Sequence, residues 1–457
     1  MSRIETTAAA VRSAEISHSM ILIIGGGAAG MMAAIAARRS AKASGNSCSI
    51  TLLERNPRPG TKIRISGGGK CNVTHTGTSA ELLEQGFLRR NEARFLRQAL
   101  YSFSNSDLLA LLRSRGVESE ERPDGKVFPV SEDASTVARA FEELLKESRV
   151  QAHFSCRVRS VERKGELFMV TTADGVFTAD RLILATGGVS YPGTGTTGDG
   201  LVIARSLGHS IKKPSAALAP LYTLNAPPAS LSGLALRSIS LVATSGGRSV
   251  ERRGDLLFTH RGVSGPAALS LSRDIAELIG ETGNCALFAD LFPEQSSAEL
   301  EAELLLQARR SGAQMVRKFL QGCPIAPLSG AFGMARQGTI PTALVPFLMR
   351  HAGLGNDVTW SGLAKEKRQS LLSTLKRFPL GSVRDVPLDQ GEISAGGVSL
   401  GEVNPKTMCS RVVPNLFLCG ELLDYAGEIG GYNLQAAFST GWMAGVNAVK
   451  PVVTNSL

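Results

Sequence analysis

An apolar run that leads into a glycine fingerprint constrains this chain more than any other feature. Residues 21–24 are Ile-Leu-Ile-Ile, and Gly25, Gly27 and Gly30 follow in the spacing GxGxxG before an Ala/Met-rich stretch of helical character. A second apolar segment then ends at Glu54. This order is typical of the dinucleotide-binding βαβ unit, in which the helix N-terminus receives a pyrophosphate and the acid binds a ribose. The unit therefore predicts an adenine dinucleotide but does not say which one.

A distant return of the same pattern favours FAD. A nicotinamide domain normally completes its site within about 150 residues. Here residues 415–421 form a further apolar strand that ends in Gly-Glu, and a glycine-rich turn and a long helix follow. Glu421 is predicted to hold ribitol hydroxyls, and the helix beginning near Asn433 to direct its positive end at the flavin. The alternative is that Glu421 is a surface residue and the helix only packs.

Two further glycine-rich loops are predicted to line the same cofactor. The loop 66–72, SGGGKCN, offers backbone N–H groups to an anion, and Lys70 adds a positive charge. Cys71 has two interpretations: a redox thiol whose pKa Lys70 lowers, or a packing residue or flavin contact, which the lack of a nearby partner cysteine favours. A second GxGxxG at 193–198 is not a nicotinamide site, because Tyr-Pro separates it from the preceding strand and no suitably spaced acid follows.

Candidate catalytic residues lie in a different part of the chain. His260 and Arg261 belong to the run 258–266, FTHRGVSGP. They are interpreted either as part of a well-capped hinge or as a proton donor and a substrate-anion clamp at the flavin. Three tyrosines in or beside glycine-rich loops are predicted to approach the flavin ring and to donate a proton, stack on substrate or simply pack: Tyr191, Tyr425 and Tyr432.

The pattern of elements predicts an α/β fold in which one Rossmann domain consists of two sequence pieces. Alternating strands and helices occupy 19–213 and return over 385–457, so these two pieces form the FAD-binding domain. The intervening 214–384 is an inserted domain, which is β-rich over about 215–290 and mostly helical over about 294–378. Residues 1–18 are interpreted as a flexible N-terminal extension.

Composition narrows the class of protein. A hydrophobic content of 43% and a charged content of 20% suit a globular enzyme. The seven cysteines are scattered without a CxxC pair, which predicts reduced thiols in a cytoplasmic protein and no metal site. The uncharged run 20–37 is interpreted as a buried strand and helix, because its consecutive glycines suit a membrane span poorly. The sequence gives no signal for an oligomeric state.

The net charge of +10 permits an anionic partner. No Lys/Arg run and no alternation of basic with aromatic residues is apparent along the sequence. The sequence therefore argues against nucleic acid and for a small-molecule substrate.

At this point five stretches make a family resemblance specific. The chain resembles the BaiN/YhiN-like flavoproteins, also called the aminoacetone-oxidase family. The stretches are GGGAAG at 25–30, KIRISGGGKCNVTH at 62–75, ATGGVSYPGTGTTGDG at 185–200, FTHRGVSGP at 258–266 and CGELLDYAGEIGGYNLQAAFSTG at 419–441. The resemblance implies a glutathione-reductase-like FAD domain with an inserted region, FAD as cofactor and an oxidoreductase role, without implying one substrate.

The candidate FAD contacts combine the fingerprint with these stretches. They are Gly25, Gly27, Ala28, Ala29, Gly30, Glu54, Arg55, Lys62, Ser66, Gly67, Lys70, Cys71, Asn72, Ala185, Thr186, Gly187, Gly188, Gly420, Glu421, Gly431, Tyr432, Asn433 and Gln435. The candidate catalytic residues are His260, Arg261 and Tyr432.

The sequence predicts an FAD-dependent oxidoreductase that transfers a hydride between a small organic substrate and flavin N5. One alternative has NAD(P)H, as a transient co-substrate, reduce the flavin, which then reduces an activated C=C bond. The other has the flavin oxidise an amine or alcohol and pass electrons to oxygen. A tRNA-modifying flavoprotein fits less well, because a Lys/Arg-rich C-terminal region is missing. A flavin-binding protein without catalytic activity is the non-enzymatic alternative.

Overall fold

The computed structural model describes residues 16–323 and 339–450, and the chain divides into two compact units. The first unit contains the described parts of Met1–Gly188 and Gly396–Leu457, together with Pro192–Lys213. The second unit contains Val189–Tyr191 and the described part of Pro214–Ala395. The predicted N-terminal extension lies outside the described residues up to residue 15, and residues 16–18 belong to the first strand.

The secondary structure alternates strands and helices along much of the chain. The strands are β1 (Ile16–Ile24), β2 (Ile50–Leu53), β3 (Thr74–His75), β4 (Ser119–Glu121), β5 (Lys126–Pro129), β6 (Gln151–His153), β7 (Val158–Lys164), β8 (Leu167–Thr172), β9 (Val176–Leu184), β10 (Ile211–Ala217), β11 (Leu221–Thr223), β12 (Ala235–Ser245), β13 (Arg248–Phe258), β14 (Gly262–Ser264), β15 (Ala286–Asp290), β16 (Phe378–Asp385), β17 (Ile393–Val398) and β18 (Leu416–Leu418). The helices are α1 (Ala28–Ala43), α2 (Thr61–Ile65), α3 (Ser79–Gly86), α4 (Arg90–Ser102), α5 (Asn105–Arg113), α6 (Ala134–Glu147), α7 (Asp199–Ser206), α8 (Pro266–Thr282), α9 (Ser297–Arg310), α10 (Val316–Leu320), α11 (Val345–His351), α12 (Lys365–Lys376) and α13 (Tyr432–Val449).

A mixed sheet of seven strands, within the described part of the chain, organises the first unit. Its order is β6-β2-β1-β9-β8-β7, and β18 adds to β9. The strands β6, β2, β1, β9 and β18 run parallel, whereas β7 and β8 form an antiparallel hairpin. The central segment Ile21–Ile24 is buried and pairs with β2 on one side and with β9 on the other. Burial on both faces explains why this run is continuously apolar.

The second sequence piece adds a strand to this sheet beside the part of β9 that the β7–β8 hairpin does not pair with. Strand β8 pairs with the first half of β9, from Val176 to Ala179. Strand β18 then pairs in parallel with its last residues, Leu182 to Leu184. The return of the chain after residue 396 therefore completes the same sheet rather than forming a new one.

Helices α1 and α13 pack closely because small residues face each other. A Cβ on Gly441 would lie 2.2 Å from Ala29 O, and one on Gly445 would lie 2.2 Å from Ala33 O. Any side chain at either glycine would force the two backbones apart. The contact links the first helix of the fingerprint directly to the last helix of the chain.

The second unit is built on a closed barrel with helices around it. The barrel order is β11-β14-β13-β12-β15-β16. Its interior and the helices α8 to α12 share one apolar cluster. The sequence predicted a β-rich part and a helical part but not the closure, in which β16 follows the helices and pairs with both β15 and β11. Residues 324–338 of the predicted helical part lie outside the described residues.

Candidate functional site

Four segments predicted to bind the cofactor follow strands that run parallel. Gly25 follows β1, Glu54 follows β2, Ala185 follows β9 and Gly420 lies just past β18. The carboxyl ends of parallel strands meet at one edge of a sheet, which is where open α/β sheets bind ligands. The first unit therefore brings these four segments together.

The fingerprint glycines have different structural roles. Gly25 has a φ of +108°, and a Cβ there would lie 2.4 Å from Ala185 O. A Cβ on Gly30 would lie only 1.8 Å from Gly25 O, so this glycine allows the helix to contact the turn. A Cβ on Gly27, by contrast, would meet nothing within 4 Å. The backbone thus leaves open space at Gly27 and is tightly packed at its two neighbours in the motif.

The start of α1 suits an anion. Gly27 is its N-cap, no side chain caps the helix, and its first turn contains no acidic residue. The first N–H groups of a helix lack partners within the helix, and its dipole favours negative charge there. A pyrophosphate therefore fits the open space beside Gly27, as the sequence predicts for FAD.

Glu54 is buried and held in place by backbone donors. Gly26 N donates to its Oε2 at 2.5 Å, and Asn56 N donates to its Oε1 at 2.8 Å. Burial raises the pKa of Glu54 above its ordinary value, while the hydrogen bonds from Asn56 and Gly26 oppose the shift. Each carboxylate oxygen has a second lone pair for a ribose hydroxyl.

Arg55 supports the neighbouring loop. Its Nη1 donates to Thr197 Oγ1 at 2.6 Å and lies 3.4 Å from Asp199 Oδ2. Asp199 also binds Arg157 at 2.9 Å. Asn56 Nδ2 donates to Thr194 O at 2.9 Å. The second GxGxxG therefore lies against the residues that follow Glu54. Asp199, directly after this motif, forms ion pairs with Arg55 and Arg157.

The segments around residues 62 and 421 meet, although the sequence separates them widely. Lys62 Nζ lies 2.7 Å from Glu421 Oε2, and both side chains are mostly buried. Gly420 N donates to Thr440 Oγ1 at 3.0 Å, which fixes this turn to α13. Gly420 itself has a φ of +73°. A carboxylate and an ammonium group are thus held together beside the end of β18.

In the glycine-rich loop 66–72 the lysine is paired with an acid and the cysteine is buried. Gly67, Gly68 and Gly69 all have positive φ, and Ser66 Oγ donates to Ile63 O at 2.7 Å. Lys70 pairs with Glu132 at 2.7 Å. Cys71 is fully buried, and burial raises its pKa to about 11. Burial therefore argues against the redox-thiol interpretation of Cys71 and agrees with the packing role that the sequence favoured.

Three of the predicted cofactor contacts have side chains that connect the loops around α13. With its amide oriented to satisfy both of its atoms, Asn72 accepts from Gly431 N at 3.0 Å and donates to Thr74 O at 2.9 Å. Thr74 Oγ1 donates to Gln435 Oε1 at 2.7 Å, and Gln435 Nε2 donates to Phe103 O. Asn433 binds the backbone of Gly427 through both ends of its amide. These side chains position the start of α13.

The start of α13 resembles that of α1. Gly431 is its N-cap with a φ of +89°, no side chain caps it, and its first turn contains no acidic residue. A Cβ on Gly431 would lie 2.6 Å from the carbonyl of Thr74, so the close approach requires glycine. The start of α13, like that of α1, therefore has neither a side-chain cap nor an acidic residue in its first turn.

Two of the predicted tyrosines lie in this unit. The Tyr432 ring stacks on His75 with centroids 4.8 Å apart, its hydroxyl lies 3.4 Å from Gln85 Oε1, and burial raises its pKa to about 12. Tyr425 is buried edge-on against Phe87, and burial raises its pKa far above its ordinary value. Both hydroxyls therefore stay protonated at neutral pH.

The remaining candidates belong to the second unit. His260 is exposed and its Nδ1 lies 3.2 Å from Ser232 Oγ. The Arg261 guanidinium lies 3.9 Å above the ring of Tyr222. Tyr191 is 39% exposed and has a φ of +49°. The structure places His260 and Arg261 side by side at the turn between β13 and β14.

Sequence reasoning missed a buried acid on α4. Glu92 on α4 is 1% exposed, and its Oε2 accepts from Ala426 N at 3.2 Å. Its carboxylate thus binds the loop that leads to α13. An acid at a buried position of an amphipathic helix was the available signal, since its neighbours Phe95, Leu96 and Ala99 are buried on the same side.

The fold and these contacts define a Rossmann-type FAD-binding domain with an inserted barrel unit, the architecture of an FAD-dependent oxidoreductase. The chain belongs to the HI0933-like family: its residues 19–447 match the HI0933-like protein Rossmann domain. The resemblance drawn from the sequence is therefore confirmed. No helix in the described ranges 16–323 and 339–450 is long and apolar enough to cross a membrane.

Named relatives match nearly the whole chain. A 3-dehydro-bile acid delta(4,6)-reductase of Clostridium scindens is 31% identical over 412 residues, which are 90% of this chain and 95% of that protein. A ribosomal RNA dihydrouridine synthase of Escherichia coli is 29% identical over 415 residues, which are 88% of this chain and 94% of that protein. Among solved structures, a 3-ketosteroid-Δ4-(5α)-dehydrogenase of Rhodococcus jostii RHA1 is 15% identical, with 97% of this chain and 99% of that chain covered and a TM-score of 0.47.

Proposed function

We propose that this protein uses FAD and NAD(P)H to reduce a C=C bond that is conjugated to a carbonyl group. The observation that carries the proposal is the edge of the sheet where Gly27, Glu54 and the Lys62–Glu421 pair converge. The fit of the open, uncapped start of α1 to a pyrophosphate supports FAD. When bound, FAD would supply hydride chemistry that the side chains of the protein lack.

The names of two relatives support reduction rather than oxidation. A delta(4,6)-reductase of a 3-dehydro bile acid and a dihydrouridine synthase act on very different molecules. Both names describe the addition of two hydrogens across a C=C bond conjugated to a carbonyl. A shared reaction across relatives of such different substrates favours an enone-type reductase here, and it gives no support to an amine or alcohol oxidase.

The contacts described for the first unit support an assignment of its residues to parts of FAD. Gly27 and the first N–H groups of α1 would face the pyrophosphate, and Glu54 would accept hydrogen bonds from the adenosine ribose. Lys62 and Glu421 would face the ribitol. The start of α13, positioned by Asn433 and its neighbours, would place partial positive charge near the isoalloxazine, where it stabilises a reduced, anionic ring.

The reduction of an enone requires a proton at the carbon next to the carbonyl. Tyr432 is our candidate donor in the first unit, because it lies at the start of α13 and stays protonated at neutral pH. His260 and Arg261 are our candidates in the second unit, as a proton donor and as a clamp on the substrate carbonyl or an anionic group. A cytoplasmic location remains a prediction, which rests on the scattered cysteines of the sequence.

Anaerobic half-reactions test the proposal. The FAD-loaded protein is mixed with NADH, with NADPH, or with a panel of amines and alcohols, and the flavin absorbance is followed. The proposal expects rapid bleaching with a reduced nicotinamide and recovery of the oxidised spectrum on addition of a conjugated enone. Bleaching by an amine or alcohol alone would instead establish the oxidase, and bound FAD that no donor reduces would establish a non-enzymatic role.

A ribosomal RNA uridine is the second candidate substrate. One relative of nearly full length carries that activity in its name. The C5=C6 bond of uracil is conjugated to the C4 carbonyl, so the same chemistry applies to both substrates. The exposed arginines of helix α4 in the first unit are relevant to the choice between a small enone and an RNA uridine.

A further inference from the structure

Helix α4 carries a basic stripe that the linear sequence does not reveal. Arg90, Arg94, Arg97 and Tyr101 are all exposed, and they follow one another at intervals of three or four residues. At 3.6 residues per turn they lie on one face, along roughly 16 Å of helix. We call these four residues the α4 stripe.

The charges of the α4 stripe are available to a partner. None of its three arginines has a salt bridge in the described parts of the chain, whereas arginines elsewhere in the first unit, such as Arg64 and Arg115, do. The Arg97 guanidinium instead lies 5.7 Å from the centre of the Tyr101 ring. Tyr101 itself is 53% exposed. The stripe therefore combines three uncompensated positive charges with an accessible aromatic face.

The opposite face of the same helix reaches the candidate site. Glu92 projects away from the stripe, is buried, and accepts from Ala426 N at 3.2 Å. Ala426 belongs to the loop that leads to Gly431 and the start of α13. A molecule bound along the stripe would therefore lie one helix diameter, about 10 Å, from the loop at the candidate site.

We propose that the α4 stripe binds single-stranded RNA and so presents a uridine to the candidate site. The inference rests on the proposed function and names its substrate class. Guanidinium groups bind phosphate in a bidentate manner, and a tyrosine offers a stacking surface to an unpaired base. A base can accept a hydride on its face only when it is unstacked, which favours an unpaired RNA segment over a duplex.

The binding test uses a fluorescein-labelled oligouridylate and fluorescence anisotropy over a range of salt concentrations. The triple variant R90Q/R94Q/R97Q should weaken binding at least tenfold. It should also lower the slope of log K against log salt by about two, since each phosphate contact on a single strand contributes about 0.7. Tyr101→Ala should weaken binding at least fivefold and leave the slope unchanged, because stacking releases no counterions.

A matched control separates the effect of where the arginines lie from the effect of removing three positive charges. Arg39, Arg159 and Arg205 are exposed, lie in the same unit and have no salt bridge in the described residues. The triple variant R39Q/R159Q/R205Q removes the same charge and should retain wild-type affinity. Equal losses in the two triple variants, or wild-type binding by R90Q/R94Q/R97Q, would overturn the proposal. Binding to phosphatidylserine vesicles with no binding to the oligouridylate would also overturn it, in favour of a membrane surface.

The binding measurement does not depend on catalysis. All variants should show wild-type bleaching of the flavin by reduced nicotinamide, because none of the substituted residues lies at the sheet edge. If the wild-type protein binds the oligouridylate through the stripe but reduces no C=C bond, the proposed function fails and the RNA surface stands. If it reduces a small enone but does not bind the oligouridylate, the RNA surface fails and the proposed function stands.

Discussion

Two alanine substitutions in the fingerprint should affect different properties of the protein. Gly30→Ala should lower its stability, because packing requires that glycine, and Gly27→Ala should lower its affinity for FAD, because the ligand requires the other. In Gly30→Ala the new Cβ would stand 1.8 Å from Gly25 O, where a normal carbon–oxygen contact is at least about 3.3 Å. Both atoms belong to backbone, so neither a rotamer change nor a flexible side chain relieves the clash. Overpacking of this kind destabilises a protein by about 3 kcal/mol or more, and the better helix propensity of alanine offsets only about 1 kcal/mol of this loss.

Gly27→Ala should leave the fold almost unchanged. Its φ of −78° and ψ of −169° are accessible to alanine, and the new Cβ would meet nothing within 4 Å. The stability of the apoprotein should therefore change by less than about 1 kcal/mol. The methyl group would occupy the space that we assign to the pyrophosphate. We expect FAD affinity to fall at least tenfold, which equals about 1.4 kcal/mol.

The assay combines urea unfolding of the apoproteins with FAD titration by calorimetry. The reasoning predicts a destabilised Gly30→Ala and a stable Gly27→Ala that binds FAD poorly. Wild-type FAD affinity in Gly27→Ala would refute the assignment of this space to the pyrophosphate. Wild-type stability in apo Gly30→Ala would refute the packing explanation.

Other substitutions test the remaining contacts. Cys71 should resist iodoacetamide at neutral pH in the folded protein and react after unfolding, as peptide mass spectrometry would show, because burial raises its pKa to about 11. Lys62→Met should cost about 1 kcal/mol in urea unfolding and weaken FAD binding more than Lys70→Met, whose ion pair is exposed. Tyr432→Phe should keep wild-type stability and FAD content but slow the recovery of oxidised flavin on addition of enone. Gly441→Ala should lower the melting temperature, because its Cβ would meet Ala29 O at 2.2 Å.

The features that the sequence predicted correctly are mostly local. The hydrophobic run before Gly25 and the acid at Glu54 follow from spacing within one βαβ unit. The family resemblance supplied the FAD-binding fold and the inserted region. Helices α9 and α12 lie in the part of the inserted region that the sequence predicted to be mostly helical.

The features that the sequence could not predict depend on distant contacts. Lys62 meets Glu421 only because β18 joins the sheet beside β9. The ion pair of Lys70 with Glu132 joins residues 62 positions apart, and burial by distant parts of the chain raises the pKa of the Cys71 thiol. The α4 stripe escaped notice because its members are separated in the sequence and come together only with the helical period.

Single-turnover product analysis tests the central claim most directly. The FAD-loaded protein is reduced with one equivalent of NAD(P)H without oxygen, mixed with a conjugated enone or with a uridine-containing RNA, and the products are weighed by mass spectrometry. Our account predicts a product that is two hydrogens heavier, formed as the oxidised flavin spectrum returns. Reduced flavin that persists with every enone and RNA, and is reoxidised only by oxygen, would contradict it.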